Sequence, residues 1–302
     1  MNIRIATRKS ALALWQAEHV AALLRELEAV DDVELVPMST RGDEVLDKSL
    51  QKIGGKGLFI KELEVAMLED RADIAVHSMK DVPAEMPEGF MLAAVLERAN
   101  PFDALVSGPA YDLASLPQGA KVGSSSLRRQ AQILARRPDL TIEPLRGNVN
   151  TRLAKLDAGE FDAIVLACAG LERLEMHERI GATLSPDEVL PAAAQGVVGI
   201  ECRDDKAELA SVLSQLQDAN ALSTTTAERA VARRLEANCQ SPVASYATLD
   251  GNALTLTSLV ASADGSTILR ESISGERPDA EHLGLELADR LLGLGAAGLL
   301  TA

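Results

Sequence analysis

Aromatic residues are nearly absent from this 302-residue sequence, in which phenylalanine, tryptophan and tyrosine together make up 2%. Proteins that bind single-stranded nucleic acid usually stack the bases on aromatic side chains, so this class of binding protein is disfavoured. The formal net charge of -15, from 45 acidic and 30 basic residues, also repels polyanions at long range. An anionic small molecule could therefore bind only where arginines and lysines cluster locally.

Cysteine and histidine are also scarce. Cys168, Cys202 and Cys239 are odd in number and lack CxxC spacing, which argues against a disulfide framework or a cysteine metal cluster. The histidines have no ligand spacing either, so we predict no metal site. No apolar run is long enough to span a membrane, and Arg8 and Lys9 interrupt the start of any signal peptide. We expect a cytoplasmic protein that binds neither nucleic acid nor membrane, with a monomer as the default.

Strand and helix patterns alternate through the first two thirds of the chain, which predicts α/β domains with mostly parallel sheets. Two breaks, at Asn100-Pro101 and from Pro191 to Gly196, bracket one complete α/β unit. The chain is therefore predicted to cross into a second domain and to return, with a hinge at the two crossovers. The predicted bounds are 1–97 with 197–217 for domain 1, 101–190 for domain 2 and 220–302 for domain 3.

The last third changes to an α+β pattern. Thr225 and Glu228 have the spacing of a capping box, which would open a helix that ends near Leu235. Three predicted strands are joined at Asp250-Gly251 and Asp264-Gly265, which are typical hairpin turns. A final helix closes this small domain.

Small hydroxyl residues and arginines follow two predicted strands of the second domain. A run of serines ends at Ser126, where a helix carrying Arg128 and Arg129 begins. Backbone N–H groups, hydroxyls and guanidinium groups at a helix start together favour a carboxylate or a phosphate. Arg146 and Arg152 repeat this arrangement at the next strand-to-helix junction. The alternative interpretation is an ordinary serine cap beside two solvated arginines.

Cations also follow two predicted strands of the first domain. Arg8 precedes Ser10, a predicted helix cap, and Lys80 and Asp81 follow the strand that contains His77. Ligands of open α/β sheets bind beyond the carboxyl ends of the strands. Asp81 is either an ordinary ion-pair or capping residue or a fixed carboxylate that stabilises a cationic intermediate.

The three cysteines have different surroundings. Cys168 and Cys202 lie in apolar runs, where a free cysteine is typically a small buried hydrophobic residue. Cys239 lies among polar, turn-forming residues. This context indicates an accessible thiol at Cys239.

Taken together and in this order, these segments resemble the porphobilinogen deaminase family, whose members are also called hydroxymethylbilane synthases. The resemblance extends along nearly the whole chain. The matching segments are residues 7–10, 54–59, 77–83, 123–129, 146–148, 195–196 and the loop at Cys239.

The resemblance implies a transferase of heme biosynthesis that polymerises four porphobilinogen molecules head to tail, releases ammonia and yields hydroxymethylbilane. It implies two α/β domains similar to periplasmic solute-binding proteins and a third domain with a dipyrromethane cofactor in thioether linkage to Cys239. Asp81 is implied as the catalytic acid. The residues implied to hold the cofactor are Lys80, Ser124, Ser126, Arg128 and Arg129. Those implied to hold the substrate and the growing chain are Arg8, Ser10, Arg146, Arg152 and Arg173.

One departure from the family pattern concerns the cofactor loop, where Ala237-Asn238 replaces the usual Gly-Gly. We expect Asn238 to keep the turn by adopting a left-handed conformation, which asparagine tolerates better than most residues. Two other functions fit the residues considered without the resemblance. One is a binding protein without catalysis, and the other is an unrelated anion-handling transferase with a cysteine nucleophile. The mass of the intact chain discriminates, because neither rival carries a dipyrromethane on Cys239.

Overall fold

The computed structural model describes residues 1–40, 60–238 and 240–300. The chain divides into two compact units. Unit 1 consists of Met1–Ala99 and Val197–Leu222, and unit 2 consists of Asn100–Gly196 and Ser223–Ala302. Two of the three boundaries coincide with the ends of the predicted crossovers. The finer division into three domains and the hinge remain predictions.

Strands and helices are interleaved in the described residues up to residue 234, although several strands follow one another directly. The strands are β1 (Asn2–Arg8), β2 (Asp32–Met38), β3 (Ile74–Ser78), β4 (Phe90–Val95), β5 (Asp103–Ser107), β6 (Lys121–Gly123), β7 (Thr141–Glu143), β8 (Ala163–Ala167), β9 (Ala182–Leu184), β10 (Val198–Arg203), β11 (Val243–Asp250), β12 (Ala253–Ala261) and β13 (Ile268–Glu276). The helices are α1 (Ala11–Arg25), α2 (Lys61–Leu68), α3 (Leu127–Arg136), α4 (Val149–Asp157), α5 (Cys168–Arg173), α6 (Ala207–Leu213), α7 (Ala219–Arg234), α8 (Ala280–Gly293) and α9 (Ala296–Leu300).

The two five-stranded sheets, one in each unit, have the same arrangement of strand directions. Unit 1 has the order β2-β1-β3-β10-β4, and unit 2 has the order β7-β6-β8-β5-β9. In each sheet the first three strands are parallel, and the fourth is antiparallel to both of its neighbours. The antiparallel strands β10 and β5 are the first strands after the two crossovers. The α/β class and the mostly parallel sheets are confirmed, since four of the five strands in each sheet run in the same direction and only the strand that enters after each crossover runs against them.

Apolar side chains cover both faces of the unit 2 sheet. Leu105 and Val165 belong to one buried cluster, whereas Ala104 and Ile164 belong to another. Successive residues of a strand point to opposite faces, so a strand buried on both faces reads as a continuous apolar run. This pattern explains why the central strands could be predicted from their sequence.

The antiparallel sheet near the C-terminus has the order β11-β12-β13. Its two predicted hairpins are confirmed, and Gly251 and Gly265 in the turns have φ values of 59° and 73°. Apolar residues of α7 and α8, including Val231 and Leu287, form one buried cluster with Leu256 of β12. These elements form the small α+β part of the chain.

The capping box predicted at Thr225 was wrong, because α7 begins six residues earlier, at Ala219. The carboxylate of Asp218 accepts a hydrogen bond of 2.6 Å from the first turn of this helix. Glu228 is fully buried and instead accepts hydrogen bonds from the backbone N–H groups of Ala194 and Ala247. A spacing motif cannot distinguish a local cap from a long-range contact of the same side chain.

Candidate active site

The carboxyl ends of β1 and β3 lie at one edge of the unit 1 sheet, because these neighbouring strands are parallel. Arg8 is the last residue of β1, and Ser10 caps α1 by accepting a hydrogen bond from Ala13 N, as predicted. Lys80 and Asp81 lie in a single 3₁₀ turn directly after β3. Unit 1 thus brings all of its predicted site residues to the carboxyl edge of its sheet.

Asp81 differs from its neighbours in exposure and in its contacts. Its side chain is exposed, whereas Arg8 and Lys80 are half-buried. Among the residues that the structure describes, Asp81 forms no ion pair. Both interpretations of Asp81, as an ion-pair or capping residue and as a catalytic carboxylate, stay predictions.

A buried acid–base pair joins the neighbouring strands β3 and β10 of the unit 1 sheet. His77 Nε2 and Glu201 Oε2 are 2.6 Å apart, and the Glu201 side chain is fully buried. Burial and then the charge of Glu201 raise the pKa of the nearby Glu64. This pair was not predicted from the sequence, in which no role was assigned to Glu201 and the histidines showed no ligand spacing. A lone carboxylate within an apolar run was the signal that could have identified this pair.

The carboxyl ends of β6, β7 and β8 define the site of unit 2. These three strands are parallel neighbours, so the segments that follow them lie at one edge of the sheet. Ser124 directly follows β6, and Ser126 caps α3 by accepting a hydrogen bond of 3.5 Å from Arg129 N. Ser126 N in turn donates to the Ser124 hydroxyl at 3.2 Å. The predicted serine cap is therefore present.

Arg128 and Arg129 are buried, with relative exposures of 4% and 6%, so the alternative of two solvated arginines was wrong. Both guanidinium groups bind Asp103, which is fully buried at the start of β5. Arg128 Nη1 lies 2.8 Å from Asp103 Oδ2, and Arg129 Nη2 lies 2.7 Å from Oδ1. Each arginine also donates to a backbone carbonyl, Arg128 to Leu190 O and Arg129 to Val165 O.

This buried cluster is not electrically balanced. Two guanidinium groups share one carboxylate, and Arg129 Nε is buried without a hydrogen-bond partner among the described residues. Burial would raise the pKa of Asp103, but the charges of Arg128 and Arg129 hold it well below its ordinary value. Burial lowers the pKa of Arg128, and Asp103 opposes that shift. The cluster therefore retains positive charge that a further carboxylate could neutralise.

Three more predicted arginines lie at the same edge of the unit 2 sheet and are half-buried. Arg146 precedes Gly147, whose φ of 110° is one that other residues rarely adopt. Arg152 Nε donates to Gly147 O at 2.8 Å, and Arg173 Nη2 donates to Gly196 O at 2.8 Å. Burial lowers the pKa of Arg173, and the charge of Glu172 opposes this shift. These side chains are suited to binding carboxylates beyond the strand ends.

Cys239 lies outside the described residues, but both of its neighbours are described. Gln240 N donates to Asn238 Oδ1 at 2.8 Å, and Ser241 N donates to Asn238 O at 2.9 Å. The left-handed residue here is Glu236, with a φ of 50°, so the left-handed conformation expected at Asn238 was wrong. Asn238 stabilises the turn by accepting these hydrogen bonds instead.

The two cysteines that the structure describes, Cys168 and Cys202, are buried, and burial raises the pKa of their thiols to about 11. Among residues 1–40, 60–238 and 240–300, no group of three or more His, Cys, Asp or Glu side chains could hold a metal ion. None of the helices in these ranges combines the length and the apolar character that crossing a membrane requires.

Several solved structures align with most of this chain at low identity. A double mutant of the BvgS VFT2 domain from Bordetella pertussis is 15% identical, with 71% of this chain and 86% of that chain covered and a TM-score of 0.46. A probable amino-acid ABC transporter extracellular-binding protein from Bacillus subtilis is 12% identical, with 72% and 90% covered and a TM-score of 0.45. The periplasmic aliphatic sulphonate binding protein from Escherichia coli is 14% identical, with 78% and 70% covered and a TM-score of 0.42.

Family models match almost the entire chain. Residues 3–211 match the dipyrromethane cofactor-binding domain of porphobilinogen deaminase, and residues 222–293 match the C-terminal domain of the same enzyme. The expected activity class and cofactor are thereby confirmed, since both models describe one transferase. The chain belongs to the porphobilinogen deaminase family.

Proposed function

We propose that this enzyme polymerises four porphobilinogen molecules head to tail, releases one ammonia at each addition and liberates hydroxymethylbilane. We further propose that the dipyrromethane is held by a thioether to Cys239. The observation that carries the proposal is the buried pair Arg128 and Arg129, which shares the single counterion Asp103. This pair fits a resident group with carboxylates, because the pair retains positive charge and Arg129 Nε has no partner among the described residues.

The proposed assignment of the cofactor-holding residues follows from this fit. When bound, the dipyrromethane supplies the pyrrole to which the first substrate is added. Lys80, Ser124, Ser126, Arg128 and Arg129 would hold its carboxylates. The hydroxyls and backbone N–H groups at the start of α3 add hydrogen-bond donors to the charge of the arginines.

The remaining arginines are proposed to hold the substrate and the growing chain. Each porphobilinogen has an acetate and a propionate, so each addition introduces two further negative charges. Arg8, Ser10, Arg146, Arg152 and Arg173 would hold these groups. A guanidinium binds a planar carboxylate through two hydrogen bonds, which a lysine cannot do.

Asp81 is proposed as the catalytic acid and as the group that stabilises developing positive charge. In each addition the bond between the methylene carbon and the amine nitrogen of porphobilinogen breaks, and ammonia leaves. The methylene carbon then bonds to the free ring carbon of the preceding pyrrole, and the proton of that ring carbon passes to the Asp81 carboxylate, which restores the acid for the next addition. Asp81 would donate a proton to the departing amine, and its carboxylate would afterwards face the electron-poor ring nitrogen.

We also propose that the enzyme acts in the cytoplasm as a monomer on a small-molecule substrate. The net charge of -15 disfavours a nucleic-acid partner, and the free cysteines Cys168 and Cys202 are compatible with a reducing compartment. Light scattering of the purified enzyme during size exclusion tests the monomer, which a mass of twice 32.0 kDa would contradict.

The first experiment locates the cofactor. Mass spectrometry of the purified chain and of its peptides should show a two-pyrrole adduct on Cys239, and a Cys239→Ser variant should lack it. Cys168→Ser is the matched control and should keep the adduct, because burial raises the pKa of that thiol to about 11. An adduct on Cys168, or a fully active enzyme without any adduct, would contradict the proposal.

The second experiment separates binding from chemistry at Asp81. Asp81→Asn preserves the shape of the side chain and removes its charge and its acidic proton. We expect folding and the adduct to persist while the single-turnover rate falls by about 10²–10³, the usual effect of losing one preorganised electrostatic contact. Normal turnover of the loaded variant would mean that Asp81 does not take part in the chemistry.

A further inference from the structure

Asp103 occupies a position that connects three separate segments of unit 2. It is the first residue of β5, two positions after Pro101, and its side chain is fully buried. Its two carboxylate oxygens accept hydrogen bonds from Arg128 and Arg129 of α3. Oδ1 also accepts a hydrogen bond of 2.9 Å from Gln195 Nε2.

The Gln195 contact links this carboxylate to both crossovers. Gln195 lies in the second crossover and is fully buried, and its Nε2 also donates to Pro101 O of the first crossover at 2.7 Å. Leu190, which directly precedes the second crossover, also holds Arg128, because Leu190 O accepts hydrogen bonds from Arg128 Nη1 and Gln132 Nε2. The arginine pair is thus connected, through Asp103 and Gln195, to both predicted crossovers.

The hydrogen bonds of the pair determine where its remaining donors point. Arg129 Nη2 binds Asp103 and Arg129 Nη1 binds Val165 O, so both ends of this guanidinium are fixed while Nε has no partner among the described residues. Because Asp103 gives one oxygen to each arginine, it orients both groups and neutralises only one of the two charges. One positive charge of the pair therefore remains for a ligand.

We infer that Asp103 is a positioning residue, which orients Arg128 and Arg129 toward the carboxylates of the cofactor while leaving their pair positively charged. The inference rests on the proposed function, since it assumes that the pair holds the cofactor. Asp103 makes no contact with substrate or cofactor in this role. It acts through the direction of the two guanidinium groups.

Two substitutions separate orientation from charge. Asp103→Glu keeps the charge but adds a methylene group, which moves the carboxylate relative to both arginines. Asp103→Asn keeps the length but removes the charge. The matched control is Asp139→Asn, because Asp139 binds Arg137 through both oxygens at 2.8 Å in the same unit, but outside the predicted site.

The measurements are the fraction of purified chains that carry the adduct, by intact mass, and kcat and KM of the loaded fraction. All are taken at a temperature at which circular dichroism shows the variant to be folded. For both Asp103 variants we expect a fall of about 10–100-fold in at least one of two quantities, the fraction of chains that carry the adduct and the kcat of the loaded fraction. This is the effect of losing hydrogen bonds to a charged group. KM should stay within about twofold, and Asp139→Asn should match the wild type in both quantities.

The outcomes are distinguishable. Folded Asp103→Glu that loads and turns over like the wild type would overturn the inference, because charge alone would then suffice. Failure of both variants to fold would overturn it too, since Asp103 would then be needed for the fold itself. A wild-type chain without an adduct on Cys239 would instead contradict the proposed function.

Discussion

Unit 2 contains two groups of arginines that differ in how far they are exposed. The buried pair, Arg128 and Arg129, has an internal counterion and several hydrogen bonds to the protein. Arg146, Arg152 and Arg173 are half-buried, and the last two donate to the backbone carbonyls of the glycines Gly147 and Gly196. The first group is fixed by the fold, whereas the second retains exposed surface.

This difference corresponds to two tasks in the proposed reaction. A group that stays bound through every addition is best held by donors that do not move. Buried charges have that property only when their orientation is fixed by partners, because an unpaired buried charge is very costly. Successive rings present their carboxylates in different positions, so the residues that hold them need freedom to adjust. The contrast predicts that mutations of the buried pair will reduce stability, whereas mutations of the half-buried group will slow elongation.

The largest expected effect is on stability at the buried pair. Arg129→Met leaves the geometry of a long side chain but removes one of the two cations that hold the buried Asp103. We expect the free energy of unfolding to fall by about 1–3 kcal/mol, because Asp103 and Val165 O each lose a buried hydrogen-bond donor while Arg128 still neutralises the carboxylate. Chemical denaturation monitored by circular dichroism measures this change.

The control for this prediction is Arg146→Met at the half-buried group. Arg146 has no hydrogen bond or ion pair with other described residues, so its loss should change the free energy of unfolding by less than about 0.5 kcal/mol. Equal losses of stability in the two variants would abolish the distinction between the groups.

The second prediction concerns elongation. Arg152→Leu removes one half-buried guanidinium, and with it a proposed contact to the carboxylates of the growing chain. We expect the fold and the adduct to persist, while at least one addition slows by about 10–100-fold, the effect of losing one hydrogen bond to a charged group. Intact mass spectrometry after brief exposure to porphobilinogen should then show truncated chains on Cys239.

Loss of the adduct in Arg152→Leu would contradict this prediction, because it would give Arg152 the task assigned to the buried pair. Arg152→Lys sharpens the test. A lysine keeps the charge but loses the planar fork, so it should restore only part of the elongation rate.

Much of this site could be predicted from local sequence, but its counterion could not. Helix caps at Ser10 and Ser126 and the turn residues of the hairpins act through neighbours only a few positions away. Asp103 binds arginines 25 and 26 positions along the chain, and nothing in the residues beside it indicates this contact. The sequence of unit 2 therefore predicts a cluster of cations without predicting which of them are buried.

The direction of the strands that follow the crossovers also could not be predicted from neighbouring residues. Their apolar runs identify β5 and β10 as buried strands, but a strand's direction depends on the path of the chain before it. Glu201 illustrates a second limit, because a carboxylate in an apolar strand has no local partner. Its partner His77 lies on the neighbouring strand, 124 positions away.

The third prediction uses the pH dependence of stability. The pKa of Asp103 is held well below its ordinary value by the two arginines, so the folded state binds this proton less readily than the unfolded state. The charged Asp103 carboxylate therefore contributes fully to the free energy of unfolding above the unfolded pKa of about 4. This contribution is lost as the pH falls from there toward the folded pKa. Urea midpoints between about pH 5 and pH 3 should fall less steeply in Asp103→Asn than in the wild type. Parallel curves would contradict the depressed pKa.

The smallest expected effect is the response to salt, which tests the comparison without any mutation. Raising the ionic strength from about 0.01 M to about 0.15 M shortens the screening length from about 30 Å to about 8 Å. Half-buried arginines face solvent and are screened, so KM for porphobilinogen should rise severalfold.

The buried pair is shielded from mobile ions, so the adduct fraction and the stability lost in Arg129→Met should not change. Salt should also leave the rate of the loaded enzyme at saturating substrate unaltered, because in the proposed mechanism Asp81 stabilises the developing charge at contact distance. A KM that ignores salt would mean that the half-buried arginines do not attract the substrate through their charge.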